Sequence, residues 1–267
     1  MRGCSSQRLE QCGGFHYALI LAKGFMMTAS LATITLYSIM PALLMIVGGG
    51  ITSFYQPSRS LTSATQHVAA GVVFAAVAKE LLPEISVNHA PLALALGFSL
   101  GVLGMLLLKG LTGKLEEREE GLPGMPWGLL YAVGIDLLLD GILIGVAFLA
   151  GAKGGVLVAV ALAIEIFFLG LSTTATLALR RISRWRRAGV TLLLALLIPC
   201  GAILGASLLV NLPTAMTDGV LSFGVAALLY LVTEELLIEA HEGVEAPWVT
   251  ACFFAGFLII LLLEGLS

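Results

Sequence analysis

Asp136 and Asp140 stand four residues apart in PWGLLYAVGIDLLLDGILIGVAFLA, the stretch from Pro126 to Ala150. In a helix this spacing places both carboxylates one turn apart on a single face, so their oxygens converge on one place. The rest of the stretch is apolar and long enough to cross a bilayer, for which about 20 residues suffice. A carboxylate at mid-bilayer costs about 2.5–3.5 kcal/mol on insertion scales, and a second on the same face adds repulsion. The pair therefore calls for a cation or a proton. The structural alternative is one protonated, hydrogen-bonded Asp with a capping neighbour; the rarity of intramembrane acids without a function favours the cation. Gly141 and Gly145 follow, a small-residue spacing that lets another helix approach closely beside the acidic face.

Other acids lie in apolar surroundings. Glu165 opens EIFFLG, which repeats the spacing of acid and glycine in DLLLDG, and it is the expected third ligand to the cation. Its alternative role is a hydrogen-bonded helix-packing residue. Ser172, Thr173 and Thr176 follow near the same face and could extend a polar path, or bond their own backbone. Glu80, next to Lys79, and the pair Glu234 and Glu235 fall towards helix ends, as pathway or interfacial acids. Lys79 and Glu80 should point apart, since adjacent helical residues diverge by about 100°. Left unpaired, these groups would outweigh the net stability of a typical protein, so most must face each other, water or an ion. His67 and His241 are lone histidines near span ends and read as structural.

The elements that must hold these residues are membrane helices. Of 267 residues, 58% are hydrophobic and 12% charged, against about 25% charged in soluble domains. The composition is that of an integral, all-α membrane protein. A net charge of −3 gives no footing for nucleic acid as a partner. Cys4 and Cys12 lie in the polar start, Cys200 and Cys252 in apolar runs, so neither a disulfide framework nor a metal-type spacing is present. Apolar windows bounded by Pro, Gly and charge give eight spans: Thr28–Phe54, Ser63–Leu82, Pro91–Leu111, Pro126–Ala150, Gly154–Leu179, Ala188–Leu209, Gly219–His241 and Pro247–Leu266. Residues 1–27 read as a tail and 28–267 as one eight-helix domain. The first apolar run is too long for a cleaved signal, so a retained first helix is expected.

Arg59, Lys109, Lys114, Arg118, Arg180, Arg181, Arg184, Arg186 and Arg187 fall on one side of these spans. Lys153 and the tail residues Arg2, Arg8 and Lys23 fall on the other. The excess places the first group in the cytoplasm and both termini outside, in the cell membrane. RRISRWRR, with Trp185, also suits lipid headgroups. The third connection, KGLTGKLEEREEGLPGM, reads as a solvated loop or short helix. KELLPEI at Lys79–Ile85 is echoed by EELLIEA at Glu234–Ala240. Together with the DLLLDG and EIFFLG echo, this makes residues 28–111 correspond to 188–267 around a central pair, 126–179. Three spans per half is odd, so the arrangement would be a 3+2+3 inverted repeat, as in many transporters.

LLYAVGIDLLLDGILIGVAF resembles the fourth helix of the ZIP (Zrt/Irt-like) divalent-metal transporters. IEIFFLGL resembles their fifth helix, HVAAGVVFAAVAKELLPE their second and LLYLVTEELLIEAHE their seventh. The resemblance implies a homodimer that carries a divalent cation of the zinc, manganese or iron class towards the cytoplasm by elevator-like alternating access. The cation would be substrate, with no cofactor and no enzymatic activity. Position by position, Asp136 takes the place of the family's fourth-helix His, Asp140 that of its Glu and Glu165 that of the fifth helix's first ligand. Leu137 stands where the family has Asn and Leu139 where it has Pro; Phe168 and Leu169 replace a Pro and a second Glu. Without those prolines the fourth and fifth helices should be straighter. A nitrogen-free carboxylate set suits Mn²⁺, Mg²⁺ or another hard cation better than Zn²⁺. The alternative is a ZIP-like protein acting on another cation, or as a scaffold without transport. An intramembrane metallohydrolase is disfavoured, since the sequence holds no HExxH.

Overall fold

Long apolar runs rich in Leu, Ala and Gly have no water to satisfy their backbone inside a bilayer, and the helix satisfies it within the segment. The computed structural model describes residues 31–52, 59–87, 91–119, 124–209, 213–241 and 246–266. The expected tail over residues 1–27 lies outside them. Among the described residues, eight helices are long and apolar enough to cross a membrane. They are α1 (Leu31–Thr52), α2 (Ser60–Leu81), α3 (Pro91–Glu119), α4 (Trp127–Leu149), α5 (Ala152–Leu179), α6 (Arg184–Ser207), α7 (Ala215–Leu236) and α8 (Pro247–Gly265). No strand occurs among the described residues.

The core lies between the central pair and its neighbours. Leu137 and Ile144 of α4 pack with Leu162 and Ile166 of α5, Ile198 of α6, and Leu221 and Val225 of α7. α3 and α8 are the least buried of the eight helices, whereas α2, α4, α5 and α7 are the most enclosed.

Glycines set which helices touch. A β-carbon at Gly141 would run into the carbonyl oxygen of Ile198, and one at Gly201 into that of Leu138, so α4 and α6 meet backbone to backbone. The same reciprocal contact joins α1 and α5, through Gly48 against Phe167 and Gly170 against Met45. Gly256 of α8 abuts the carbonyl of Val68 in α2, and Gly101 of α3 abuts that of Phe223 in α7. Such grooves allow dispersion contact where lipid provides no hydrophobic drive between helices.

Two irregular turns stand out. α2 leaves α-helical geometry for a π-helical turn at Val77–Leu81 before resuming at Leu82–Val87. α7 does so at Val232–Leu236 before Leu237–His241. These turns fall on VAKEL and VTEEL, in the same register as the echoed segments. π-turns often mark functional sites, because they re-aim side chains within a helix. α4 and α5 run as unbroken α-helices. α6 is interrupted at Leu196, three residues before Pro199, whose missing N–H leaves a carbonyl one turn back without its helical donor.

Two span bounds move. Of the loop and helix readings of the third connection, the structure has helix through Glu119, since its Lys and Glu residues are good helix formers and continue α3 past Leu111 into the polar zone. Its end is pinned there: the Arg180 guanidinium donates to the Glu119 carbonyl at 2.7 Å, and the Glu119 carboxylate accepts from the Gly128 amide at 3.2 Å. The sixth span begins at Arg184 rather than Ala188, so half of RRISRWRR is helical, with Trp185 exposed and Arg187 buried.

Candidate metal centre

α4 and α5 supply the acidic residues. With α4 held flush against α6 by Gly141, Gly145, Gly201 and Gly205, the face carrying Asp136 and Asp140 is left to meet α5 and its Glu165. Asp136, Asp140 and Glu165 each offer a carboxylate oxygen, and the three oxygens lie within 4.8 Å of one another. Asp140 and Glu165 are 1% and 2% exposed, while Asp136 is half-buried and opens the cluster to one side. Asp140 Oδ2 and Glu165 Oε2 have no hydrogen-bond partner among the described residues. Three carboxylates so close cannot all be charged without a counter-charge between them, and buried polar atoms left unpaired are costly. The arrangement brings together three oxygen donors of the kind that can hold a cation.

A cavity of 40 Å³ opens on two of the three acids, Asp136 and Glu165. Asp136 and Glu165 line it with Ser172, Phe168 and Leu169 of α5, and with Gln66 of α2 and Glu235 of α7. Its volume admits a few water-sized occupants, at about 10–15 Å³ each. Gln66 escapes the sequence reading, since a lone amide in an amphipathic start carries no spacing signal. Leu169 faces this space with hydrocarbon, and Leu137 is wholly buried in the core.

The pathway candidates separate. Glu235 and Ser172 open onto the cavity. Thr173 is buried in α5, with its hydroxyl unpartnered among the described residues, and Thr176 donates to the Ser172 carbonyl at 3.1 Å. Glu80 is directed at the start of α5, its Oε2 3.1 Å from where a β-carbon on Gly154 would sit. Glu234 is turned away, to an ion pair with Lys109 of α3 at 3.0 Å. Lys79 mirrors it on α2, paired with Glu264 of α8 at 3.3 Å. In each π-turn, then, one charged residue faces the central helices and its neighbour clasps a peripheral one.

No family model matches the chain. A stretch of 154 residues is 30% identical to the zinc transporter GufA of Myxococcus xanthus, and the match covers 55% of this chain and 60% of that protein's length.

Proposed function

We propose that this protein moves a divalent metal cation, of the zinc, manganese or iron class, across the cell membrane towards the cytoplasm by ZIP-like alternating access. The observation that carries the reading is the convergence of Asp136, Asp140 and Glu165 within 4.8 Å inside a membrane-length bundle. The similarity to a zinc transporter supports the metal substrate. Because every donor of the trio is a carboxylate and Leu137 and Leu169 replace two family ligands, we assign one cation rather than a bridged pair.

A 3+2+3 inverted repeat is the architecture we infer for this cycle. It is supported by the paired contacts. Exchanging α1 with α6 and α4 with α5 turns the Gly48 contact on Phe167 into the Gly201 contact on Leu138. Exchanging α2 with α7 and α3 with α8 turns Val68 against Gly256 into Phe223 against Gly101, and Lys79 with Glu264 into Glu234 with Lys109. The trio rides on the central pair, whereas Gln66 and Glu235 belong to the surrounding frame, so a sliding central pair would exchange these frame contacts between states. Both termini are assigned to the outside, and the working unit to a homodimer in lipid.

Uptake into proteoliposomes across Zn²⁺, Mn²⁺, Fe²⁺, Cd²⁺ and Mg²⁺ tests the reading. Asp140→Asn keeps shape and removes charge, so transport of the preferred ion should be abolished with normal folded yield. Undiminished uptake in that variant would remove the site assignment.

A further inference from the structure

The two histidines that read as unrelated in sequence meet in space. His67, near the start of α2, and His241, at the end of the helix that continues α7, place their ring centroids 5.1 Å apart with planes inclined at 55°. Both line a cavity of 310 Å³ with Ala240, Ala246, Pro247, Val249 and Thr250. His67 is 2% exposed, and its Nε2 has no hydrogen-bond partner among the described residues. A buried imidazole nitrogen left in this way carries a lone pair or a proton that no neighbouring group uses.

The backbone decides between these. His67 Nδ1 lies 2.9 Å from the Ser63 carbonyl, and His241 Nδ1 lies against the Leu237 carbonyl. A carbonyl only accepts, so each Nδ1 must carry the proton; in the neutral ring each Nε2 is then the lone-pair nitrogen. Metal-binding histidines are commonly oriented in this manner, with the non-ligating nitrogen donating to a carbonyl or carboxylate. Two imidazoles bound through Nε2 to one tetrahedral zinc, at about 2.0–2.1 Å per bond, have ring centres about 5 Å apart. The Ser63 hydroxyl also donates to the Ala240 carbonyl, tying α2 to the residue beside His241. The pair is therefore held in place by both helices that carry it.

We propose that His67 and His241 form a second cation site, separate from the carboxylate trio, that takes a borderline divalent ion such as Zn²⁺ through two Nε2 atoms with water completing the shell. Nitrogen donors select zinc-like over magnesium-like ions, the reverse of the preference of an all-oxygen site. Two protein ligands and an open cavity make an exchangeable site, unlike the closed four-ligand sites that hold zinc for structure.

The test is zinc titration of the purified full-length protein, with X-ray absorption at the zinc edge, on the native chain and on His67→Gln, His241→Gln and Asp140→Asn. The native chain should bind one zinc more than either histidine variant, and the imidazole scattering of that zinc should disappear with it. Asp140→Asn should keep the imidazole-bound zinc. Folded histidine variants with the native zinc count and unchanged imidazole scattering would reduce the pair to a ring stack, as would a native chain without imidazole-bound zinc. If His67→Gln does not fold, the exposed His241→Gln decides alone.

Discussion

At the scale of the residue, the chemistry turns on donor type. Asp136 is the half-buried member of the trio and lines the 40 Å³ cavity, so a substituted side chain there has room to reach the cation we propose. Asp136→His replaces an oxygen donor by nitrogen, and the ratio of Zn²⁺ to Mn²⁺ uptake should rise by about tenfold, because imidazole favours zinc. An unchanged ratio with preserved uptake would place the ion away from Asp136. Gln66 offers a neutral amide to the same cavity. Gln66→Ala should raise the KM for the cation severalfold and leave folded yield intact, as read by uptake kinetics. The three acids are legible in the sequence, since i and i+4 carboxylates must share a helix face and the spacing of acid and glycine repeats in α5. Gln66 is not, because its relevance depends on where α2 passes.

At the scale of the element, close helix packing and paired charges hold the frame. Gly201 meets the Leu138 carbonyl one turn from Gly141, which meets Ile198. Gly201→Leu would force α4 and α6 apart, a change costing about 1–3 kcal/mol when overpacking is spread over neighbours. It should lower the melting temperature and uptake together, measured by thermal unfolding in detergent and proteoliposome assay. The ion pairs of Lys79 with Glu264 and Lys109 with Glu234 are partly exposed, and in water such pairs contribute about 0–1 kcal/mol. Close to a membrane surface the larger effect is that neither charge is left alone. Lys79→Glu should therefore reduce folded yield, and adding Glu264→Lys should restore it; a double variant as poor as the single would show that the pairing is incidental. The helices themselves follow from hydropathy. The π-turns do not, since VAKEL and VTEEL read as ordinary helix and carry no local signal for the wider turn.

At the scale of the whole molecule, the proposed orientation and assembly can be tested from charge and surface. Arg118 and Arg186 are exposed at the ends of α3 and α6, and the topology we propose, from the excess of Lys and Arg on their side, puts them in the cytoplasm. Cysteines introduced at these positions should resist membrane-impermeant labels in intact cells and react after permeabilisation. Labelling from outside would invert the topology. The outward faces of α3 and α8 carry Leu96, Leu100, Leu107, Phe254, Leu258 and Leu262 exposed, a surface that lipid or a second copy can cover. The proposed homodimer predicts twice the 27.9 kDa chain mass in nanodiscs by mass photometry, and a monomeric mass would count against it.

Hydropathy and helical period are properties of the local chain, and they determined the number of the apolar spans and most of their length, the shared face of Asp136 and Asp140, and the echo between α2 and α7. The backbone in lipid has few ways to satisfy its hydrogen bonds, so these features pass from sequence to structure almost unaltered. Which helices touch is a different matter. It depends on how glycine grooves and carbonyl ridges interlock across segments far apart in sequence, and no short window records that. Tertiary packing alone brought Gln66 and Glu235 to the acidic trio, sent Glu234 to Lys109, and set His67 beside His241.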